Sequence, residues 1–137
     1  MIVQGLGYTF DAVWHGLLNP GFEPATAAEM MRHLLTVHAP LYLGAASLLA
    51  STAVALVHQA RRSAAGRALP VAFAGALVSA GAEAWHAASH LRLDTHSGPI
   101  AGTLSFIGFL VVLVALSVSS RRRRQDRAAT AQERRAA

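Results

Sequence analysis

Carboxylates recur three or four residues from histidines along this chain. Asp11 precedes His15 by four residues, and Glu29 precedes His33 by four. Residues three or four apart share one face of an α-helix, so each pair would present its two side chains together. Imidazole and carboxylate groups are common ligands of divalent transition metals. The spacing therefore points first to metal-binding chemistry.

The densest pattern of this kind comprises Glu83, His86 and His90, in the order Glu-x-x-His-x-x-x-His. At about 100° per residue, the three side chains fall within about 60° of one another on a helix. Inward-facing Glu-x-x-His pairs build the di-iron and di-manganese sites of helical bundles. Glu83 also lies well inside an apolar segment, where an isolated carboxylate is costly. We therefore expect these three residues to be the strongest ligand candidates.

The predicted metal ligands come from three helix segments and would supply one centre or two adjacent ones. They are Asp11, His15, His33, Glu83, His86 and His90. Two further histidines are weaker candidates. His38 would lie about 140° around its helix from His33, and His96, in a loop, could act as a lid ligand.

The absence of cysteine narrows the choice of metal. Without thiolates, iron–sulfur clusters and thiolate zinc sites are excluded. Histidine and carboxylate ligands suit copper(II), zinc or iron. Haem is an alternative cofactor, because two facing histidines such as His15 and His86 could be its axial ligands.

Long apolar runs form the elements that carry these residues. The 137-residue chain is 53% hydrophobic and only 14% charged, whereas soluble domains average about 25% charged residues. Residues 39–57, 69–91 and 100–118 each match the roughly 20 helical residues that cross a bilayer. Residues 1–18 are a shorter candidate, either spanning or interfacial. Together these segments predict an all-α, integral membrane four-helix bundle.

The bundle is predicted to occupy residues 1–120, and residues 121–137 to form a basic, disordered cytoplasmic tail. All 12 basic residues are arginine, and ten of them lie at 61–67 or after residue 120. Arginine is enriched in this way on the cytoplasmic side of membrane proteins. We therefore place the chain in the cytoplasmic (inner) membrane, with Ala65 and the C-terminus inside and Phe22 and Thr95 outside.

This topology has two consequences for function. It accounts for the net charge of +5 without a nucleic-acid partner. It also places six of the seven histidines on the extracytoplasmic side, although the topology was drawn from the arginines alone. The clustering of histidines is therefore an independent indication of a site at that end of the bundle.

The segment before the second apolar run carries helix signals. Thr26, followed by Glu29 three residues later, predicts a capping box at a helix start. The helix that begins there would pass through His33 and His38, and Pro40 would kink or break it.

Two halves of the chain resemble each other, which favours two tandem helical hairpins. The matching pairs are Trp14 with Trp85, His15 with His86, His38 with His96, and Gly44 with Gly102. Both halves run in the same direction, so the repeat implies a pseudo-two-fold axis along the membrane normal. We expect the paired residues to lie at the same membrane level.

Asp11 and His15, with a histidine on the next helix, resemble the Asp-x-x-x-His…His metal site of copper membrane monooxygenase C subunits. The resemblance is confined to residues 11–38, and the gap from His15 to His33 is longer than in that family. It implies that Asp11, His15 and His33 are ligands, with His38 as the alternative third. It supports a metal site and indicates no particular substrate.

The leading functional interpretation is a small polytopic membrane protein with a histidine and carboxylate metal site on its extracytoplasmic side. Whether the site catalyses a reaction is open at this point. The alternatives are a non-catalytic accessory subunit of a membrane complex and a bis-histidine haem protein. The expected partners are the lipid bilayer and other membrane subunits or further copies of the chain.

Overall fold

The computed structural model describes residues 1–62, 66–94 and 98–136, which form four helices joined by short turns. These are α1 (Ile2–Val13, continued by a π-helical turn over Trp14–Leu18), α2 (Ala27–Arg61), α3 (Ala68–Leu91) and α4 (Gly98–Ala136). The chain is therefore all-α over the described ranges, as predicted. His96, the weaker ligand candidate, and the loop positions Ala65 and Thr95 lie outside the described residues.

Helix α2 begins at the predicted capping box. Oγ1 of Thr26 accepts a hydrogen bond from the backbone N–H of Glu29 at 3.2 Å, and Oε2 of Glu29 accepts one from the N–H of Ala25 at 3.0 Å. This reciprocal arrangement fixes where the helix starts. Glu29 is exposed and engaged in the cap, so it does not accompany His33 into the interior.

Helix α2 widens into a single π-helical turn over Leu34–His38, just before Pro40. Proline has no N–H, so it cannot close the α-helical bond to the carbonyl of Thr36, and its ring crowds that carbonyl. The wider turn accommodates both effects. The helix then continues over Ala39–Arg61, so Pro40 does not break it.

Glycines bring the helices into close contact at two places. A Cβ atom on Gly44 of α2 would lie 2.5 Å from Cα of Gln4 in α1. A Cβ on Gly108 of α4 would lie 2.5 Å from the carbonyl oxygen of Gly75 in α3. Neither backbone can retreat from such a contact without moving its helix. Small residues here allow close packing, as they do in membrane helix pairs.

The apolar core occupies the half of the bundle away from the histidines. It consists of Leu48, Ala72, Ala76, Phe109 and Val112. Helices α2, α3 and α4 are each long and apolar enough to cross a membrane. Many of their large apolar side chains point outward, as lipid-facing residues do.

Helix α4 differs from the sequence prediction at its C-terminal end. The sequence predicted a disordered tail from residue 121, whereas the helix continues to Ala136. Alanine, arginine, glutamine and glutamate dominate this segment, and all four are strong helix formers. Because its side chains are polar, this segment has little reason to pack against the bundle. Polar side chains do not, however, prevent the segment from forming a helix.

Candidate metal centre

Five imidazole rings converge at one end of the bundle. They belong to His15 of α1, His33 and His38 of α2, and His86 and His90 of α3. His38 is at the centre, and its ring centroid lies 4.7 Å from that of His33 and 5.1 Å from that of His86. The rings of His15 and His90 each lie 5.4 Å from it, nearly parallel to its plane. All four predicted histidine ligands therefore meet around a fifth.

His38 is more central than the sequence predicted. As part of a regular α-helix, it would have lain about 140° from His33. The π-helical turn Leu34–His38 takes one more residue than an α-helical turn. His33 and His38, five residues apart, therefore share a face and enter the same cluster. In the sequence, Pro40 and the five-residue spacing between His33 and His38 were the signals that the two histidines could share a face.

Helix α1 contributes a carboxylate to the cluster. Oδ1 of Asp11 lies 3.7 Å from Nε2 of His15 and 2.7 Å from Nδ1 of His38. The shorter contact is an ion pair when His38 is protonated. Both atoms are buried without a hydrogen-bond partner among the described residues. A cation bonded to both would satisfy them.

Helix α3 contributes two imidazoles in direct contact. Nε2 of His86 and Nε2 of His90 lie 2.6 Å apart, while the Nδ1 atoms of both rings are buried without a partner. Among the described residues, the ligand atoms sort into two groups within which every pair lies within 4.8 Å. One group is His15, His33 and His38, and the other is His38, His86 and His90.

Glu83 belongs to neither group, although the sequence made it one of the strongest candidates. It is 3% exposed, and neither carboxylate oxygen has a hydrogen-bond partner among the described residues. It stands one helical turn, about 4.5 Å, below His86 along α3. At that depth it faces the interior beneath the imidazoles. The hydroxyl of Tyr42, one turn below His38 on α2, is also buried and unpartnered.

A hydroxyl and amide network lies below Glu83, and the sequence reasoning did not identify it. Nε2 of Gln4 donates to Oγ of Ser79 at 2.6 Å and to the hydroxyl of Tyr8 at 3.2 Å. Oγ of Ser105 lies 2.5 Å from the hydroxyl of Tyr8 and 3.0 Å from Oγ of Ser79. Ser79 is four residues before Glu83, on the same face of α3. The sequence signal for this network was the presence of polar residues, such as Gln4, Ser79 and Ser105, within otherwise apolar segments.

No family model, curated protein or solved structure matches this chain significantly. The function of the site therefore has to be inferred from its own residues and contacts.

Two openings lead to the histidines. A cavity of about 460 Å³ reaches all five imidazoles and Asp11, and Glu23, Pro24 and Thr103 are among the other residues that line it. A second cavity of about 710 Å³ is a more apolar groove between α1 and α4, and it ends at Asp11 and His86. Trp14 packs against His33 with ring centroids 4.6 Å apart. The site is thus walled by aromatic side chains but accessible to a small ligand.

Proposed function

We propose that this chain is a small membrane protein that binds transition-metal ions at its histidine cluster. The observation that carries the proposal is the convergence of five imidazoles and Asp11 with buried, unpartnered ligand atoms. An unsatisfied buried polar atom costs about 1–3 kcal/mol, so a ligand that bonds to several of these atoms at once would be stabilised by them. A metal ion bonds to the lone pairs of several such atoms at once.

The ligand chemistry favours copper(II), followed by zinc and iron. Imidazole is a good ligand for all three metals, and copper(II) forms the most stable complexes of the divalent first-row series. Among the described residues, Asp11 is a carboxylate in direct contact with histidines of the cluster. The resemblance of Asp11, His15 and His33 to the copper monooxygenase C-subunit site is in keeping with this proposal, since the three side chains lie around the same cluster.

The proposed site lies on the extracytoplasmic side of the inner membrane, in a bundle of four helices. The arginines at residues 61–67 and after residue 120 support this orientation. His15, His33, His86 and His90 all lie at the end of the bundle away from these arginines. The function would then be metal binding from outside the cytoplasm, as in sensing, storage or delivery.

The geometry favours metal ions over the haem alternative. An iron held by His15 and His86 would require the flat macrocycle to lie between those two rings. The ring of His38 occupies that space, 5.4 Å from His15 and 5.1 Å from His86. The metal measurement below separates the proposal from an accessory subunit without metal.

The proposal is tested by measuring metal in the full chain purified in mild detergent. Because His38 belongs to both ligand groups, we expect His38→Ala to lower copper(II) affinity by more than about 100-fold, the upper range for losing even an indirect ligand contact. The matched control is His58→Ala, which removes an exposed histidine from the other end of the same helix. Elemental analysis and competition with a chelator give the affinities.

His38 is buried, so its replacement could also disturb the fold. Circular dichroism and gel filtration establish whether His38→Ala remains helical and monodisperse, and His38→Gln provides a polar replacement if it does not. Wild-type protein that binds no copper, zinc or iron above the level of a histidine-free membrane protein would refute the proposal. So would a folded His38→Ala variant with unchanged affinity.

A further inference from the structure

The five imidazoles are arranged as two half-sites that share one ring. One half-site is His15 of α1 with His33 of α2, and the other is His86 with His90 of α3; each forms a compact ligand group together with His38. Two ligand nitrogens bonded to one ion at about 2.1 Å lie at most about 4.2 Å apart. The ligand atoms of each group all lie within 4.8 Å of one another, whereas the two half-sites do not merge into one group. A single ion would therefore leave one half-site empty.

His38 has the properties of a ring that serves both half-sites. It is 1% exposed, and both of its ring nitrogens are buried without a hydrogen-bond partner among the described residues. Its Nδ1 is directed to α1, where it lies 2.7 Å from Oδ1 of Asp11. The two nitrogens of an imidazole point in diverging directions, so they cannot bind the same ion. Nε2 of His38 is therefore free for a second ion.

We propose that the site binds a pair of metal ions bridged by the imidazolate of His38, an inference that rests on the proposed metal-binding function. The first ion is bound by His15, His33 and Nδ1 of His38, with Asp11 as its fourth ligand. The second is bound by Nε2 of His38 and by the two imidazoles of α3, and its fourth position opens to the 460 Å³ cavity. The N–H proton of His38 leaves to water through that cavity when the second ion binds.

The charges of the surrounding residues suit two ions. Bridging makes the His38 ring an anion, and Asp11 supplies a second negative charge in contact with it. Glu83, one turn below His86, belongs to neither ligand group, and a bound cation nearby would favour its ionised form as a third negative charge. A site for one divalent ion would not need a buried carboxylate at each of two levels. The proposal thus gives Glu83 an electrostatic role in place of the ligand role that the sequence predicted.

Copper(II) is the probe that tests the bridge, because two copper(II) ions joined by an imidazolate are magnetically coupled. The full chain in detergent is titrated with copper(II) and followed by elemental analysis and electron paramagnetic resonance. We expect two ions per chain, a signal weaker than two isolated spins, and a half-field transition from the coupled pair. The control His58→Ala should behave like the wild type.

Half-site variants separate the two ions. His15 and His90 are partly exposed, so replacing either by alanine leaves the buried core intact. We expect His15→Ala and His90→Ala each to retain one copper(II) ion tightly and to show one uncoupled spin of full intensity. One ion per chain in the wild type, or two ions without coupling, would overturn the bridge and leave the proposed function standing. No bound ion in the wild type would instead refute the proposed function itself.

Discussion

His38 illustrates how a single residue can make a site incomplete without a ligand. Both ring nitrogens are buried, and Oδ1 of Asp11 lies 2.7 Å from one of them. Each unsatisfied buried group costs about 1–3 kcal/mol. The apo site is therefore held together by packing around it, and a bound ion would add stability through mass action.

The carboxylate of Asp11 is the residue-scale test of this view. We expect Asp11→Asn, which keeps the shape but removes the charge, to weaken copper(II) binding by about 10- to 100-fold. The amide nitrogen cannot bind a cation, and the amide oxygen carries no net charge to offset one. Isothermal titration in detergent measures the change.

Glu23 provides the control for Asp11. It is an exposed carboxylate that lines the same cavity but belongs to neither ligand group. Glu23→Gln should leave the affinity within about twofold, because exposed charges are screened by salt. Equal losses in the two variants would show that Asp11 acts through the general charge of the cavity rather than by contact.

At the scale of the elements, the two π-helical turns are both at the histidine site. Trp14–Leu18 carries His15, and Leu34–His38 follows His33 and ends on His38. A π turn behaves as an α-helix with one inserted residue, and such turns are frequent at functional sites. The turn in α2 aligns two histidines that a regular helix would separate.

The alignment can be tested by deleting the inserted residue. Removal of Thr36, which is exposed, combined with Pro40→Ala to restore the missing N–H, should convert the π turn to an α-helical one. His33 and His38 would then be four residues apart and still share a face. We expect copper(II) affinity within about tenfold of the wild type, a change of about 1.4 kcal/mol.

The matched deletion removes Leu43, an exposed residue of the regular part of α2. It would rotate the histidines by about 100° relative to the contact between Gly44 and Gln4. Metal binding should be lost while the helical content measured by circular dichroism is retained. Loss of metal in the Thr36 deletion, with the fold intact, would show that the π turn itself is required.

At the scale of the whole bundle, the buried polar groups lie toward the histidine end and the buried apolar core lies beyond them. The histidines, Glu83 and the network around Ser79 form a column that ends at the core of Leu48, Ala76 and Val112. Among the described residues, the cavities that reach the histidines lie at the polar end. We therefore expect metal to enter and leave from one side of the membrane.

The orientation can be measured directly, because the chain has no cysteine. In spheroplasts of a bacterial host, a membrane-impermeant maleimide should label Glu23→Cys. It should label Gly66→Cys and Thr130→Cys only after the membrane is opened, since arginine-rich segments stay in the cytoplasm. Labelling of position 66 or 130, but not 23, in intact spheroplasts would reverse the topology.

The sequence by itself determined the fold class and the class of ligand residues. Apolar runs of spanning length and the capping box at Thr26 are local properties, and each was readable along the chain. The same is true of Asp11 with His15 and of His86 with His90, because residues on one helix face are neighbours whatever surrounds them. The repeat and the membrane orientation remain predictions.

Only the tertiary structure decided which of these residues meet. His38 lies at the centre of the histidine cluster because the π turn rotates it relative to its position in a regular α-helix. A helical periodicity read from the sequence assumes a constant rotation per residue, so it could not show this. Glu83 shares a face with His86 but belongs to neither histidine group. The network of Gln4, Tyr8 and Ser105 was hidden because its members are isolated in sequence. Contacts between helices depend on the height of each residue along the bundle and on the rotation of each helix about its axis. The sequence of a single helix specifies neither quantity relative to its neighbours.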